Sequence, residues 1–442
     1  MSRFVKKGTV TLLAVIMALA LYGCGSSNNG ASNTSSPVSP GSSQPAANTP
    51  ETITLMINAS WWPPIMDEIA KAAEAATGVK VDVQKIPEGA EGQKIIKTKM
   101  SANELSDMFG WAGGSFLAQL NPELNLMDIT DATLSGAIKD QVKPSMSYKD
   151  KLFGTPLSSN GWGFEGIFYS KKLFEELNLQ IPTTKEEMFA VSDKIKQAGK
   201  VPFWVSAKDK WTTTQIPENY WAWMVKKNPQ NNELISTNKL KLENTPEFVE
   251  SLAVMREIVE KGYANEDYIT ATYDAGIKAL VDGTAGMYPQ GSWIFTALEA
   301  NYPDQVDEIG FFPQPIDGNN VVAVSPPQGL FVSKNTKKID AVTKWLNFYA
   351  TEGQKIYYEK SKGLPMFNNV EADMWPAYQD IVTLFEAGNY AYNEQIGLPI
   401  MFPDWESSTQ AAATGDMTPQ EAAKNLDKNF ADANKLIGTP GW

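Results

Sequence analysis

The sequence predicts an α/β protein whose folded body comprises two lobes, each a mainly parallel sheet flanked by helices. Three observations carry that expectation. Strand, helix and strand follow one another at crossover spacing, capping signals open and close the helices between them, and the body exceeds the roughly 250–300 residues at which a single core tends to split.

The first unit starts at Ile53-Thr54-Leu55-Met56-Ile57, which reads as a buried strand. Ile65, Ile69, Ala72, Ala73 and Ala76 then recur at helical spacing until Gly78. Val79, Val81 and Val83 alternate with Lys80, Asp82 and Gln84 as a second strand, so this unit predicts parallel pairing. A helix from Glu91 to Ala102 leads to a short strand at Met108-Phe109, and Leu152 to Leu157 and Gly166 to Tyr169 read as further strands. Thr184 with Glu187 has the form of a capping box, Thr245-Pro246 that of an N-cap followed by N1 proline, and Thr418-Pro419 with Glu421 combines both devices. Gly199 and Gly262 stand where helices end.

The first fifty residues follow another pattern. Arg3, Lys6 and Lys7 precede an apolar stretch from Val10 to Ala20 and then Leu21-Tyr22-Gly23-Cys24, the three-part layout of a secretory signal peptide over residues 1–23. The apolar run is too short to span a membrane comfortably. Cys24, the single cysteine, sits where the lipobox of bacterial lipoproteins places its lipidated residue, although Tyr22 occupies a position usually held by a small residue. Residues 24–50 form an expected flexible tether: beyond Cys24 they carry no charge and one branched aliphatic, Val38. The expected location is the outer face of the cell membrane, held by the lipid anchor.

The chain has no histidine, one cysteine and only two arginines, Arg3 and Arg256. Catalysis by Ser-His-Asp or Cys-His, a histidine zinc site and disulfides are therefore excluded, and neither cofactor nor metal is expected. A formal charge of −13, more acidic still once the leader's cations are removed, argues against nucleic acid and anionic lipid surfaces. Scarce arginine disfavours an anionic ligand that needs bidentate clamping, which leaves a neutral one favoured.

Further segments carry a family resemblance. They are Glu104 to Gly114, Lys151 to Leu157, Phe168 to Phe174, Gly283-Thr284-Ala285-Gly286-Met287 with Gly291-Ser292-Trp293, and Gly329 to Asn335. In order and combination they resemble the family 1 extracellular solute-binding proteins of ABC sugar importers. The resemblance implies the two-lobed clamshell of the maltose-binding class, crossed three times by the chain, and a monomer that hands a sugar to permease subunits. Residues 51–158 with about 313–362 are assigned to lobe 1, and about 162–312 with 366–442 to lobe 2. The expected crossings lie at Ser158 to Gly161, Pro313 to Pro326 and Lys362 to Pro365.

A pyranose presents an apolar face and a rim of hydroxyls, so its site needs aromatic platforms and a few aimed polar groups. Tryptophans in loops after strands are the candidates, since such loops line the cleft of an open α/β sheet. Trp61 and Trp62 follow the first strand, and Trp111, with Asp107 upstream as a rim acceptor, lies in a glycine-rich loop. Asn160 and Trp162 mark the first crossing. Trp211, Trp293 and Trp405 match regions where the resemblance implies stacking rings, Trp405 foremost. Glu88 is a candidate hydroxyl acceptor, whereas Glu165 reads mainly as a solvated strand-end acid. Trp204, Trp221, Trp223 and Trp345 read as core. Two alternatives stay open: a binding protein for a peptide or polyamine, and an extracellular carbohydrate-active enzyme, which requires only two carboxylates.

Overall fold

The computed structural model describes residues 50–442 apart from Glu88, Asp131, Ala132, Ser159, Asn160, Asn319 and Pro440. The leader, Cys24, the tether, Glu88 and Asn160 thus lie outside the described residues. Two sheets organise the body. Strands β1 (Glu51–Asn58), β2 (Val79–Ile86), β3 (Met108–Ala112) and β4 (Gly154–Pro156) belong to the first. The second holds β5 (Gly163–Ser170), β6 (Val201–Phe203), β7 (Ala285–Gly291), β8 (Ile309–Phe312) and β9 (Val322–Ser325). Strand β10 (Gln328–Val332) returns to the first sheet, and β11 (Tyr390–Tyr392) closes the second.

The first sheet has the order β2-β1-β3-β10-β4, the second β11-β9-β5-β7-β6 with β8 also on β5. In the first, β1 pairs parallel with β2 and β3, with Leu55 opposite Met108, while β10 runs antiparallel to β3 and β4. In the second, β5 is antiparallel to β7, β8 and β9, whereas β9–β11 and β6–β7 are parallel. The two-lobed α/β architecture stands, but the expected mainly parallel sheets are corrected to mixed ones. The strands that enter a sheet straight from the other lobe, β5 and β10, run against the strands that a helical crossover laid down.

The lobe boundaries shift for a related reason. Val322–Ser325 pairs with β5 and β11, so the second crossing is only Pro326-Pro327, and the segment from 313 belongs to lobe 2 rather than lobe 1. Phe367 bridges Ile138 and the Asn368 side chain donates to the carbonyls of Gly136 and Ile138, so lobe 1 extends through residue 368. Trp375 stacks on Phe295 of lobe 2 with centroids 5.2 Å apart, which puts the third crossing between 368 and 375 instead of at 362–365. The first crossing joins β4 to β5, and on its lobe 1 side the Ser158 amide donates to the Tyr349 hydroxyl at 2.9 Å.

One apolar core fills lobe 1 and continues through Trp162, Phe164 and Phe385 onto one face of the second sheet; another, with Ile167, Trp221, Phe248 and Trp405, fills the opposite face. Helix ends follow the sequence in part. Thr418 makes a complete capping box with Glu421, and Thr184 accepts from the Glu187 amide. Thr245 makes no such bond, its hydroxyl donating instead to the Lys241 carbonyl.

Candidate functional site

The cleft-side ends of the second sheet are the start of β5 and the ends of β7, β9 and β11. Glu165 lies there on β5, opposite Ala323 and Gly291, and is fully buried. The solvated position expected for it is thereby corrected. Alternation sends Phe164 and Phe168 to one face of the sheet and Glu165 and Ile167 to the other, and the helix Gln215–Lys227 packs under that second face. Its Glu218 meets Glu165, close enough that the charge of one carboxyl disfavours ionisation of the other. Glu394, at the start of the helix Glu394–Gly397 just after β11, completes a trio, every member of which is at most 2% exposed.

Neutral groups surround the trio. Asn393 Nδ2 donates to Glu165 Oε1 at 3.1 Å. Gln215 Nε2, Gln395 Nε2 and the Trp405 indole N–H donate to Glu218 at 3.3, 3.2 and 3.4 Å. Glu165 Oε2 and both oxygens of Glu394 lack an N–H or O–H donor of good geometry, as do the buried amide oxygens of Gln215 and Asn219. Burial, reinforced by the charge of Glu218, holds the Glu165 and Glu394 carboxyls well above the usual carboxylate range. Burial also raises Glu218, but its hydrogen bonds oppose the shift, so it is the member best able to stay ionised.

An aromatic angle stands at the same edge. The rings of Trp211 and Trp293 meet nearly edge-on at 6.0 Å, and Tyr273 lies 5.2 Å from Trp211. Trp293 fits because its neighbours lack side chains. A Cβ on Gly163 would come 3.1 Å from its ring and one on Gly291 would collide with it, while its indole donates to Gln290 at 3.2 Å. Gly163, Glu165 and Gly291 share one face of the sheet, so this ring borders the carboxyl trio.

Lobe 1 supplies the facing wall. The helical segment Gly114–Leu120 packs against Glu394–Gly397, and Gly114, at φ +63°, has no room for a Cβ because it would strike the Gln395 carbonyl oxygen. The Tyr392 hydroxyl donates to the Gln141 carbonyl at 3.0 Å, a second contact between the lobes. Ser115 on that segment has a buried hydroxyl without a partner.

Of the residues singled out from sequence, the structure brings together Trp211 and Trp293. Trp405 is corrected: it is 3% exposed inside lobe 2, near-parallel to Phe402 and Phe248 and edge-on to Trp221, and only its N–H reaches toward the trio. Asp107 is corrected as well. It precedes β3, at the sheet end away from the cleft, where its carboxylate accepts from the Thr54 amide and hydroxyl and the Thr336 hydroxyl at 2.7–2.9 Å. Trp62 is buried with its indole on Asp67 at 2.7 Å, and Trp61 is half-buried beside Gly110. Trp111 is buried at the cleft end of β3, its N–H on the Phe116 carbonyl and the Lys97 ammonium 5.5 Å from its ring. Trp162 is buried between Phe164 and Phe385, with its N–H unmatched.

Glu218, Glu394, Gln215 and Gln395 were missed. The available signal was Gln215, Glu218 and Asn219 at the head of the apolar run Tyr220 to Met224, a polar patch on a helix otherwise built for the core. A cavity of about 230 Å³ lined by Met127, Phe153, Ser333 and Ile339 lies on lobe 1, beside β10 and away from this wall. Among the described residues no group of three or more acidic, cysteine or histidine side chains is arranged to hold a metal. No described helix is long and apolar enough to cross a membrane.

Two mixed sheets joined by three chain crossings, with unmatched polar groups buried where the lobes meet, define a two-lobed binding fold. The chain belongs to the bacterial extracellular solute-binding protein family, whose model matches residues 59–356. It is 21% identical over 277 residues to a multiple sugar-binding protein of Streptococcus mutans, a match covering 62% of this chain and 65% of that one. An extracellular-binding protein of an ABC transporter from Pyrococcus horikoshii is 22% identical over 281 residues. These matches span somewhat under two thirds of the relatives' own length, 65% and 62%. Among solved structures, a chitin oligosaccharide binding protein superposes with a TM-score of 0.74 at 20% identity, covering 86% of this chain and 99% of that one. RafE in complex with raffinose does so with 0.73 at 21% identity over the same shares.

Proposed function

We propose that the protein is the substrate-binding lipoprotein of an ABC importer, binding a saccharide of two or more units between its lobes. One observation carries the reading: the Trp211–Trp293 angle borders a buried set of acceptors, Glu165 Oε2, Glu394, Gln215 and Asn219, that lack donors. Buried polar atoms without partners are costly, and a hydroxyl-bearing ligand supplies the missing donors while its apolar face covers the rings. Ligand touching both walls favours the closed arrangement by its differential affinity for that state, and the closed body docks on permease subunits. Binding without turnover separates this function from that of a carbohydrate-active enzyme.

The relatives named for sugars support the assignment, and the leader supports Cys24 as the lipidated residue, placing a monomer on the outer face of the cell membrane. A thermal-shift panel of mono- to tetrasaccharides, peptides and spermidine tests it. A saccharide at a hundred times its Kd adds about 2.7 kcal/mol of stability, and Trp293→Ala abolishes the shift. A response confined to peptides or spermidine overturns the assignment, and release of reducing ends identifies an enzyme. Loss of membrane association in Cys24→Ala checks the anchor.

A further inference from the structure

The second-lobe wall is one-sided in its chemistry. Glu165, Glu218 and Glu394 are buried together, and none of the ion pairs among the described residues involves any of them. Every group that donates to them is a neutral amide, hydroxyl or indole. After those bonds are made, Glu165 Oε2, both Glu394 oxygens, Gln215 Oε1 and Asn219 Oδ1 still lack donors. Gln215 is 2% exposed and its Nε2 is bonded to Glu218, so its unmatched oxygen belongs to the same spot. Unmatched buried donors near this wall are neutral, the Ser115 hydroxyl on the facing segment and Gln290 Nε2, whose oxygen accepts from the Trp293 indole; among the described residues the unmatched indoles are those of Trp162, Trp204 and Trp345.

A neutral hydroxyl corrects this imbalance poorly, because each offers one proton and brings acceptor lone pairs of its own. An ammonium offers three donors and no acceptor, and it carries the charge that makes a buried carboxylate favourable. We propose that the saccharide carries a free amino group, seated as its ammonium among Glu165, Glu218 and Glu394. The inference rests on the saccharide reading above and narrows it to amino sugars. The acidic surface, −13 over the whole chain, draws such a cation toward the cleft. No covalent bond changes on binding. The carboxyl protons held by burial leave to solvent as the ammonium takes their place, so uptake of the cation is balanced by release of protons.

Isothermal titration of the full-length chain in detergent tests this with partners that differ only at C2: glucosamine against glucose, and the fully deacetylated chitin trimer against cellotriose and against the N-acetylated trimer. Each titration is run at pH 7 in two buffers of different ionisation enthalpy, which counts protons released. The amino member is expected to bind at least tenfold tighter than its hydroxyl and N-acetyl counterparts, with proton release that they lack. Glu165→Gln, which keeps the Asn393 bond, is expected to reduce that preference at least tenfold, as is Glu394→Gln; Trp293→Ala is expected to weaken amino and neutral members alike. Equal or tighter binding of a neutral member overturns the amino-sugar inference and leaves the saccharide reading intact. So does an amino preference that survives both glutamine variants. Binding of spermidine with no saccharide bound overturns the saccharide reading itself, and absence of any amino-sugar binding at millimolar concentration overturns the inference.

Discussion

Asp107 in the first lobe and Glu165 in the second are both acids withdrawn from solvent at a sheet edge, and their surroundings are opposite. Burial pushes the Asp107 carboxyl up, but the Thr336 hydroxyl, the Thr54 amide and hydroxyl and the nearby Lys338 outweigh it and hold the group below the usual range. Glu165 has the Asn393 amide and the Ser325 hydroxyl as donors, an oxygen without an N–H or O–H donor of good geometry and two further acids within electrostatic reach, so burial prevails and its carboxyl rises. A carboxylate whose donors all come from the protein serves the fold. One that the fold leaves short of donors, at an edge where two lobes meet, is held for something from outside.

The strongest test of this contrast is Asp107→Ala. It removes three charge-assisted hydrogen bonds that tie β1 and β3 to the segment after β10 and leaves Thr54 and Thr336 without their acceptor. A loss of about 3 kcal/mol in urea unfolding is expected, with saccharide affinity unchanged within a factor of two. A large loss of affinity at unchanged stability would return Asp107 to the cleft and erase the contrast.

The second test turns on the sign of a pH dependence. An acid whose folded-state pKa lies above its unfolded value keeps its proton in the folded protein after the unfolded chain has released it. Its stabilising contribution is complete below the unfolded pKa near 4.5 and is lost as pH rises toward the folded pKa, at about 1.4 kcal/mol per pH unit for each group. Glu165, Glu218 and Glu394 all shift in this direction. The ligand-free protein should therefore lose stability from pH 5 to pH 8. Glu165→Gln should be near neutral at pH 5 and stabilising by about 1 kcal/mol at pH 8. Calorimetric melting at both values decides. A variant destabilised at pH 8 would mean that the carboxyl is satisfied as it stands, like Asp107.

How far the sequence reveals this arrangement varies with the kind of signal. Thr418, Pro419 and Glu421 specify a helix start by local bonds alone, and the structure makes them. Strand direction is not local: the alternation in β1 and β2 looks the same whether a later strand joins parallel or antiparallel, so the returns through β5 and β10 were invisible. Trp293 and Trp405 both stand beside a helix start after a Gly- or Pro-containing turn. Two glycines on neighbouring strands open a slot for Trp293 at the edge, whereas Phe248, Phe402 and Trp221, distant in sequence, close over Trp405. Glu218 and Glu394 are two among fifty-one acids; the pairing of β5 with β9, and of β9 with β11, puts Glu394 beside Glu165, and the packing of the helix Gln215–Lys227 under the sheet brings Glu218 there.

The smallest effect separates hydrogen bonding from charge at the Asp107 end of the comparison. Lys338 Nζ lies 3.6 Å from the Asp107 carboxylate, its side chain is 39% exposed, and it also donates to the Thr52 carbonyl at 2.7 Å. A pair this exposed is screened by solvent and salt, so Lys338→Met should cost at most about 0.5–1 kcal/mol. The loss should shrink further in 1 M NaCl, where the Debye length falls to about 3 Å. The threonine donors remain in this variant, and they suffice to keep the carboxylate ionised. If Lys338→Met instead destabilises the protein as much as Asp107→Ala does, the cation and not the hydroxyls holds that acid in place. The two lobes would then differ by the presence of a lysine, and a lysine engineered beside Glu165 would convert the second lobe's acid into a copy of the first.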